Sequence, residues 1–263
     1  MPAAPTRVLA VCAAPVVALL AVAALVPLPF VIAQPGSTTA NVLGLHKDKP
    51  VITISGVPTR ETSGQLRMTT IEATGPDTEI GLTDVVDSWF RRDRAVMPRD
   101  AVYPPGQSDT EIEKHNVAEM KKSQDAAAEA ALRYLHRSPK DVKVELSLAD
   151  VGGPSAGLLF TLGIIDKIAG DGRGGDLTGG RVIAGTGTIA PDGSVGAVGG
   201  VSLKTQAAGR DGATVFIVPK GECSEAGAEL PKGMRLIPVD TLSDAVTSLK
   251  ALASGGRVPS CPA

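Results

Sequence analysis

The sequence predicts an α+β fold preceded by one N-terminal transmembrane helix, and three observations carry that expectation. Beyond residue 46, strand-like and helix-like stretches mix without a regular βαβ rhythm. Hydrophobic residues reach 43% while aromatics are only 3% of 263 residues, so the core has to be built from Val, Leu, Ile and Ala. Residues 8–33 carry no charge at all, and a helix of that length exceeds the ~30 Å hydrocarbon core of a bilayer.

In chain order, Arg7 is the only charge ahead of that apolar run. The positive-inside tendency therefore places the N-terminus in the cytoplasm and everything after Gln34 outside, as a single-pass cell-membrane protein. A cleaved signal peptide competes, because Val31-Ile32-Ala33 offers small residues for processing before Gln34. The run is longer than the ~7–15-residue apolar region of a typical signal, which favours the uncleaved anchor, and both readings export the rest of the chain. The layout expected is an anchor or signal over 1–34, a small-residue polar linker over 35–45, one domain over 46–255 and a tail over 256–263.

Within the domain, Val51 to Ile54 and Gln65 to Ile71 read as strands around a Gly/Pro/Thr-rich turn, and so as a hairpin. Leu82 to Phe90 is a short amphipathic helix. An irregular loop runs through Pro98, Pro104 and Pro105, and Ser108-Asp109-Thr110-Glu111 is a capping box for a helix reaching about His136. Val142 to Leu148 alternates as a strand, Gly152-Gly153-Pro154 turns the chain, and a helix follows from Ser155 to Ala169, stopped by Gly170 and Gly172. Arg181 to Ile189 is a strand that turns at Pro191-Asp192-Gly193 and returns through Val195 to Val198. Leu203 to Ala208 reads as helix, Thr214 to Val218 as a buried strand and Ser243 to Ala253 as a closing helix.

A formal charge of −2 and an isoelectric point near 6.0 lack the basic excess of nucleic-acid binders. No His/Cys cluster has metal-ligand spacing, so no metal or other cofactor is expected. The glycine-rich stretches 172–180 and 193–200 do not form G-x-G-x-x-G between a strand and a helix, and Asp176, Asp192 and Asp211 beside them look like turn formers. Cys12 lies in the apolar run, which leaves Cys223 and Cys261 as the one pair in the exported part. An oxidising compartment favours a disulfide between them; two unrelated thiols are the alternative.

The chemistry concentrates at Gly153-Pro154-Ser155-Ala156-Gly157. Glycines on both sides let a tight turn push a serine hydroxyl out of the backbone, as in the G-x-S-x-G elbow of hydrolases. His46, His115 and His136 all precede Ser155, whereas an α/β-hydrolase esterase needs a histidine after its serine, which counts against that reading. A lysine in a dry site can take the proton instead, because burial lowers the amine pKa from ~10.4. Lys167 lies too far along the same helix, and Lys220, Lys232 and Lys250 have polar or tail-like neighbours. Lys204 follows Gly199-Gly200-Val201-Ser202-Leu203 and precedes Thr205-Gln206-Ala207-Ala208. That apolar and small context can desolvate an amine, and it also fits a lysine snorkelling to the surface.

Taken in order, the Gly153–Gly157 pentapeptide, Gly185-Thr186-Gly187, the Gly193 turn, Gly199-Gly200 with Lys204, Ala207-Ala208 and Val215-Phe216-Ile217-Val218-Pro219 resemble the proteolytic domain of Lon proteases. The resemblance covers residues 142–250 well and the upstream hairpin and long helix more loosely. The chain is most similar to the membrane-anchored, exported Lon-like proteases. The resemblance implies a Ser-Lys dyad with Ser155 as nucleophile and Lys204 as general base, and Thr186 as the residue that orients the lysine. Gly153, Pro154, Ala156 and Gly157 then shape the turn and oxyanion site.

The implied activity is a serine endopeptidase acting on unfolded or extended polypeptides, in a homo-oligomer for which Lon rings suggest a hexamer. Departures from the family are also clear. No P-loop motif is present, so ATP binding is not expected; Gly152 stands where the family often has an acid, with Asp150 farther back, and Thr188 replaces a frequent glutamate. Only residues 136–140 separate the long helix from the next strand, where exported relatives commonly insert a PDZ domain. A membrane-tethered binding or scaffold domain of Lon-like shape, with little or no activity, is the alternative from another class.

Overall fold

A computed structural model describes residues 4–262 apart from residues 38, 104, 105, 107 and 149–152. The chain divides into two compact units, Met1–Gln34 with Ala73–Asp109, and Pro35–Glu72 with Thr110–Ala263.

The larger unit is an α+β structure around a five-stranded sheet in the order Arg235–Val239, Val215–Pro219, Val182–Gly185, Gln65–Met68, Ala40–Asn41. Neighbours run parallel except for the last pair. Strand periodicity sorts the side chains between two cores. Ala184, Phe216 and Leu236 lie in register and face the helix Val201–Arg210, whereas Ile183, Ile217 and Ile237 face the helices Gly157–Ile168 and Leu242–Ala253. The helix Gly157–Ile168 is buried from Gly157 through Asp166, which explains why its sequence is apolar on every side rather than along one stripe. Burial of each Leu, Ile or Phe there contributes roughly 1.5–3 kcal/mol. Gly163 lets this helix come close to the strand Ile52–Ser55, since a Cβ at that position would lie 2.6 Å from Ile52 Cδ1.

Several elements differ from the sequence-based expectation. The strands Ile52–Ser55 and Gln65–Met68 do not form a hairpin: the first pairs antiparallel with Lys143–Leu146 and the second pairs parallel with Val182–Gly185. The long connection between them does not fix a register, so burial chose the partners. Residues 35–45 are not a plain linker, because Ala40–Asn41 is the edge strand of the sheet and Val42 and Leu43 are buried. The strand read as continuous from Arg181 to Ile189 breaks at Thr186-Gly187; Thr188–Ile189 pairs instead with Val195–Gly196 around the Gly193 turn. Arg235–Val239 had no strand signal, and it accommodates Pro238 because it is the edge of the sheet.

In the smaller unit, the apolar run over residues 8–33 is divided rather than continuous. Helix Ala4–Leu25 stops before Pro27 and Pro29, and Phe30–Pro35 is a strand in which Val31, Ile32 and Ala33 are buried. The two prolines lack N–H donors and push Val26 and Leu28 out of the helical region. Among the described residues, no helix is long and apolar enough to cross a membrane. The strand pairs antiparallel with Ala95–Pro98, a strand inside the stretch expected to be irregular; Pro104 and Pro105 of that stretch lie outside the described residues. Helix Leu82–Trp89 follows Gly81, whose N–H donates to Asp84 Oδ2 at 2.9 Å.

Candidate active site

Gly153 enters the serine turn with φ of 90°, a left-handed value that a side chain would strain, and Pro154–Ala156 forms a single 3₁₀ turn ahead of the helix starting at Gly157. The helix thus begins two residues later than the sequence suggested, and Ser155 stands half-buried on the turn. Ser123, on the long helix Asp109–Tyr134, donates its hydroxyl to the Pro154 carbonyl at 3.0 Å and fixes the turn from behind. Gly157 is required by close packing: a Cβ there would lie 2.9 Å from both Ile189 Cγ2 and Ser123 Oγ and 3.2 Å from the Ile189 backbone nitrogen.

The broken strand at Gly185-Thr186-Gly187 docks on this turn. Gly187 N–H donates to the Ser155 carbonyl at 2.9 Å, and the Leu158 N–H donates back to the Gly187 carbonyl at 3.1 Å. Thr186 is fully buried, and its hydroxyl donates to the same Ser155 carbonyl at 3.2 Å while accepting from Lys204 Nζ at 3.2 Å. One threonine oxygen therefore joins the lysine to the serine residue. Ser155, Thr186 and Lys204, separated by up to 49 positions in the chain, are brought together.

Lys204 sits one turn into the helix Val201–Arg210, whose first turn is entered by Gly200 at φ of 68°. The side chain is 4% exposed. Burial pulls its pKa down from 10.5 to about 8, opposed by the nearby charges of Glu225 and then Glu222. These two acids were not anticipated from sequence. They belong to Lys220–Glu222 and Cys223–Ala228, and Glu225 Oε1 accepts the Val201 N–H at 2.7 Å, an acid at the positive end of the lysine helix. Burial, followed by the charge and hydrogen bond of Glu225, pushes the Glu222 carboxyl up. An E-x-x-E spacing after a buried strand is too common to have singled them out.

The other residues considered from sequence fall elsewhere. His115 and His136 are exposed, Lys220 and Lys232 are exposed, and Lys167 and Lys250 are partly exposed on other helices. Asp150 and Gly152 lie outside the described residues. Cys223 and Cys261 form a disulfide with Cα atoms 5.5 Å apart, tying the tail to the segment that carries Glu222 and Glu225. Among the described residues, no group of His, Cys, Asp or Glu could hold a metal ion. A groove beside the edge strand, lined by Leu230, Met234, Pro238 and Cys261 among others, includes none of Ser155, Thr186 and Lys204.

A half-buried serine on a glycine-entered turn and a desolvated amine are thus joined through one threonine. Residues 120–252 match the model of the Lon protease (S16) C-terminal proteolytic domain, half of the chain. The chain belongs to this family. No curated protein matches it. The Lon proteolytic domain is a serine peptidase domain, and that is the activity class the family assigns here. The matched segment begins in the long helix behind the serine turn and ends in the closing helix Leu242–Ala253, so it contains every residue of the site just described.

Proposed function

We propose that the protein is a serine endopeptidase in which Ser155 is the nucleophile and Lys204 the general base. The observation that carries this reading is the buried chain of contacts from the Lys204 amine through the Thr186 hydroxyl to the Ser155 backbone. Neutral Lys204 accepts the Ser155 proton as Oγ bonds to the peptide carbonyl carbon. The resulting ammonium then donates that proton to the leaving amine as the C–N bond breaks, which leaves an acyl-enzyme. In the second half, Lys204 takes a proton from water, the hydroxide adds to the ester carbonyl, and expulsion of Ser155 Oγ with return of the proton regenerates the enzyme. Backbone N–H groups of Ser155 and Ala156 open the helical turn shaped by Gly153, Pro154 and Gly157, where the first donors of a helix are unpaired, and they are suited to hold the oxyanion. Thr186 orients the amine.

The substrates are unfolded or extended polypeptides, cleaved without an ATPase module in this chain. The Cys223–Cys261 disulfide supports an oxidising, extracytoplasmic location. Helix Ala4–Leu25 supports attachment to the cell membrane: Val11, Val16, Val17, Leu19 and Val22 are all more than half exposed on it. The Lon relationship supports a homo-oligomer, with six subunits as the family precedent. The test is covalent labelling of the full chain by a fluorophosphonate or peptide boronate without ATP. Labelling of the wild type, lost in Ser155→Ala and strongly slowed in Lys204→Met, is the expected result. Folded wild-type protein that labels no better than Lys204→Met would instead make the domain a tethered scaffold.

A further inference from the structure

The smaller unit carries a surface that the peptidase chemistry does not use. The chain has one tryptophan and four phenylalanines, and Trp89 and Phe90 are adjacent and 79% and 83% exposed. Val86, 48% exposed, stands three and four positions before them, so all three share one face at the end of helix Leu82–Trp89. Exposing two neighbouring aromatic side chains forgoes roughly 1.5–3 kcal/mol of burial for each fully covered ring of this kind, and a folded unit with other apolar positions to fill has no packing reason to do so.

What covers this face is indicated by what lies beside it. Helix Leu82–Trp89 packs against helix Ala4–Leu25 within the same unit. The Leu28 N–H donates to the Ile80 carbonyl at 2.7 Å, tying the end of the apolar helix to the start of the aromatic-tipped one. The exposed valines of the first helix and the Val86-Trp89-Phe90 face are thus parts of one unit. Directly after Phe90 come Arg91, Arg92 and Arg94. Arg91 pairs with Asp93 and Arg94 with Asp87, each at 3.0 Å, so much of this local positive charge is already balanced within the segment. An apolar helix, an aromatic pair at its flank and arginines just beyond is the order of chemistries met on passing from hydrocarbon through the headgroup layer to water.

We propose that Val86, Trp89 and Phe90 form a second membrane contact, seated at the headgroup level of a lipid bilayer, with Arg91, Arg92 and Arg94 on its aqueous side. This rests on the reading that helix Ala4–Leu25 lies in the membrane, and it adds a docking surface that holds the smaller unit against the bilayer instead of letting it swing from a single tether. Because Arg91 is paired with Asp93 and Arg94 with Asp87, aromatic insertion is the main source of attachment, and added salt reverses it little.

Trp89, as the sole tryptophan, reports directly. The full-length chain is incorporated into phosphatidylcholine vesicles with and without phosphatidylglycerol, and Trp89 emission is followed with aqueous acrylamide and with lipids brominated at shallow or deep positions. The expected result is a shift to shorter wavelength, loss of acrylamide quenching and quenching by shallow rather than deep bromines, in both lipid compositions and in high salt. Phe90→Ser should reduce the shift while leaving the protein on the vesicles. Vesicle-bound protein whose Trp89 still emits as in water overturns the docking surface and leaves the anchor intact; protein that does not bind vesicles overturns both. A shift that appears without lipid and grows with protein concentration also overturns it, in favour of a second copy covering the face. Covalent labelling of Ser155 in the same samples reports the peptidase reading separately.

Discussion

Replacing Lys204 by methionine should remove activity and raise stability at once. Lys204 is 4% exposed, and burial lowers its pKa to about 8 from 10.5. A displacement of that size corresponds to about 3 kcal/mol spent holding the charged form in a dry site. Below pH 8 both folded and unfolded chains keep the lysine charged, so that cost is paid in full. Between pH 8 and 10.5 the unfolded chain binds the extra proton and wild-type stability climbs with pH; above 10.5 the penalty is gone. Methionine has similar length and no charge. Chemical denaturation should therefore show Lys204→Met more stable by up to about 3 kcal/mol at pH 7, less the lost bond to Thr186, with the gain shrinking above pH 8. Ser155 labelling in the wild type should follow the neutral amine, rising about 100-fold from pH 6 to a plateau above pH 8. A pH-independent labelling rate, or a Lys204→Met protein less stable than wild type at pH 7, would refute the account of a desolvated base.

Three further substitutions probe the frame around the site. Asp166 is fully buried at the end of the serine helix; one oxygen accepts the Leu177 N–H at 2.7 Å, the other has no hydrogen-bond partner among the described residues, and burial lifts its pKa from 3.8 to about 6. Its folded form binds the extra proton between those values, so wild-type stability should fall as pH rises from about 4 to 6, and Asp166→Asn should melt higher than wild type at pH 7.5 but not at pH 4. Gly157→Ala would press a methyl group onto Ile189 and Ser123, so it should cost about 1–3 kcal/mol in denaturation and slow Ser155 labelling as the turn shifts. Cys261→Ser opens a loop spanning 38 positions, which should lower stability by up to about 4 kcal/mol under non-reducing conditions and leave the reduced wild type and the variant alike.

Much of the candidate site was legible because the proposed chemistry constrains local residue types. A serine between glycines marks a turn that no other packing need explains, and a lysine in a run of small and apolar residues marks a dry amine. Thr186 could be named only through the family pattern, since a threonine between glycines carries no signal by itself. Glu225 and Ser123 were invisible: each acts on a backbone atom far along the chain, Val201 N–H and the Pro154 carbonyl, and backbone partners leave no trace in side-chain spacing. The hairpin expected from Ile52–Ser55 and Gln65–Met68 failed for a related reason, because alternation identifies a strand and says nothing about its neighbour.

By itself, the sequence determined that the chain mixes helices and strands, that Ser155 sits on a glycine-framed turn and that Lys204 lies among residues able to exclude water; these depend on local conformation and composition. Tertiary structure decided which strands pair, that the apolar N-terminal run divides at Pro27 and Pro29 into a helix and a buried strand, and that Thr186 bridges the lysine to the serine. Those outcomes depend on contacts between residues distant in sequence, and such contacts are selected by burial and hydrogen-bond satisfaction over the whole fold.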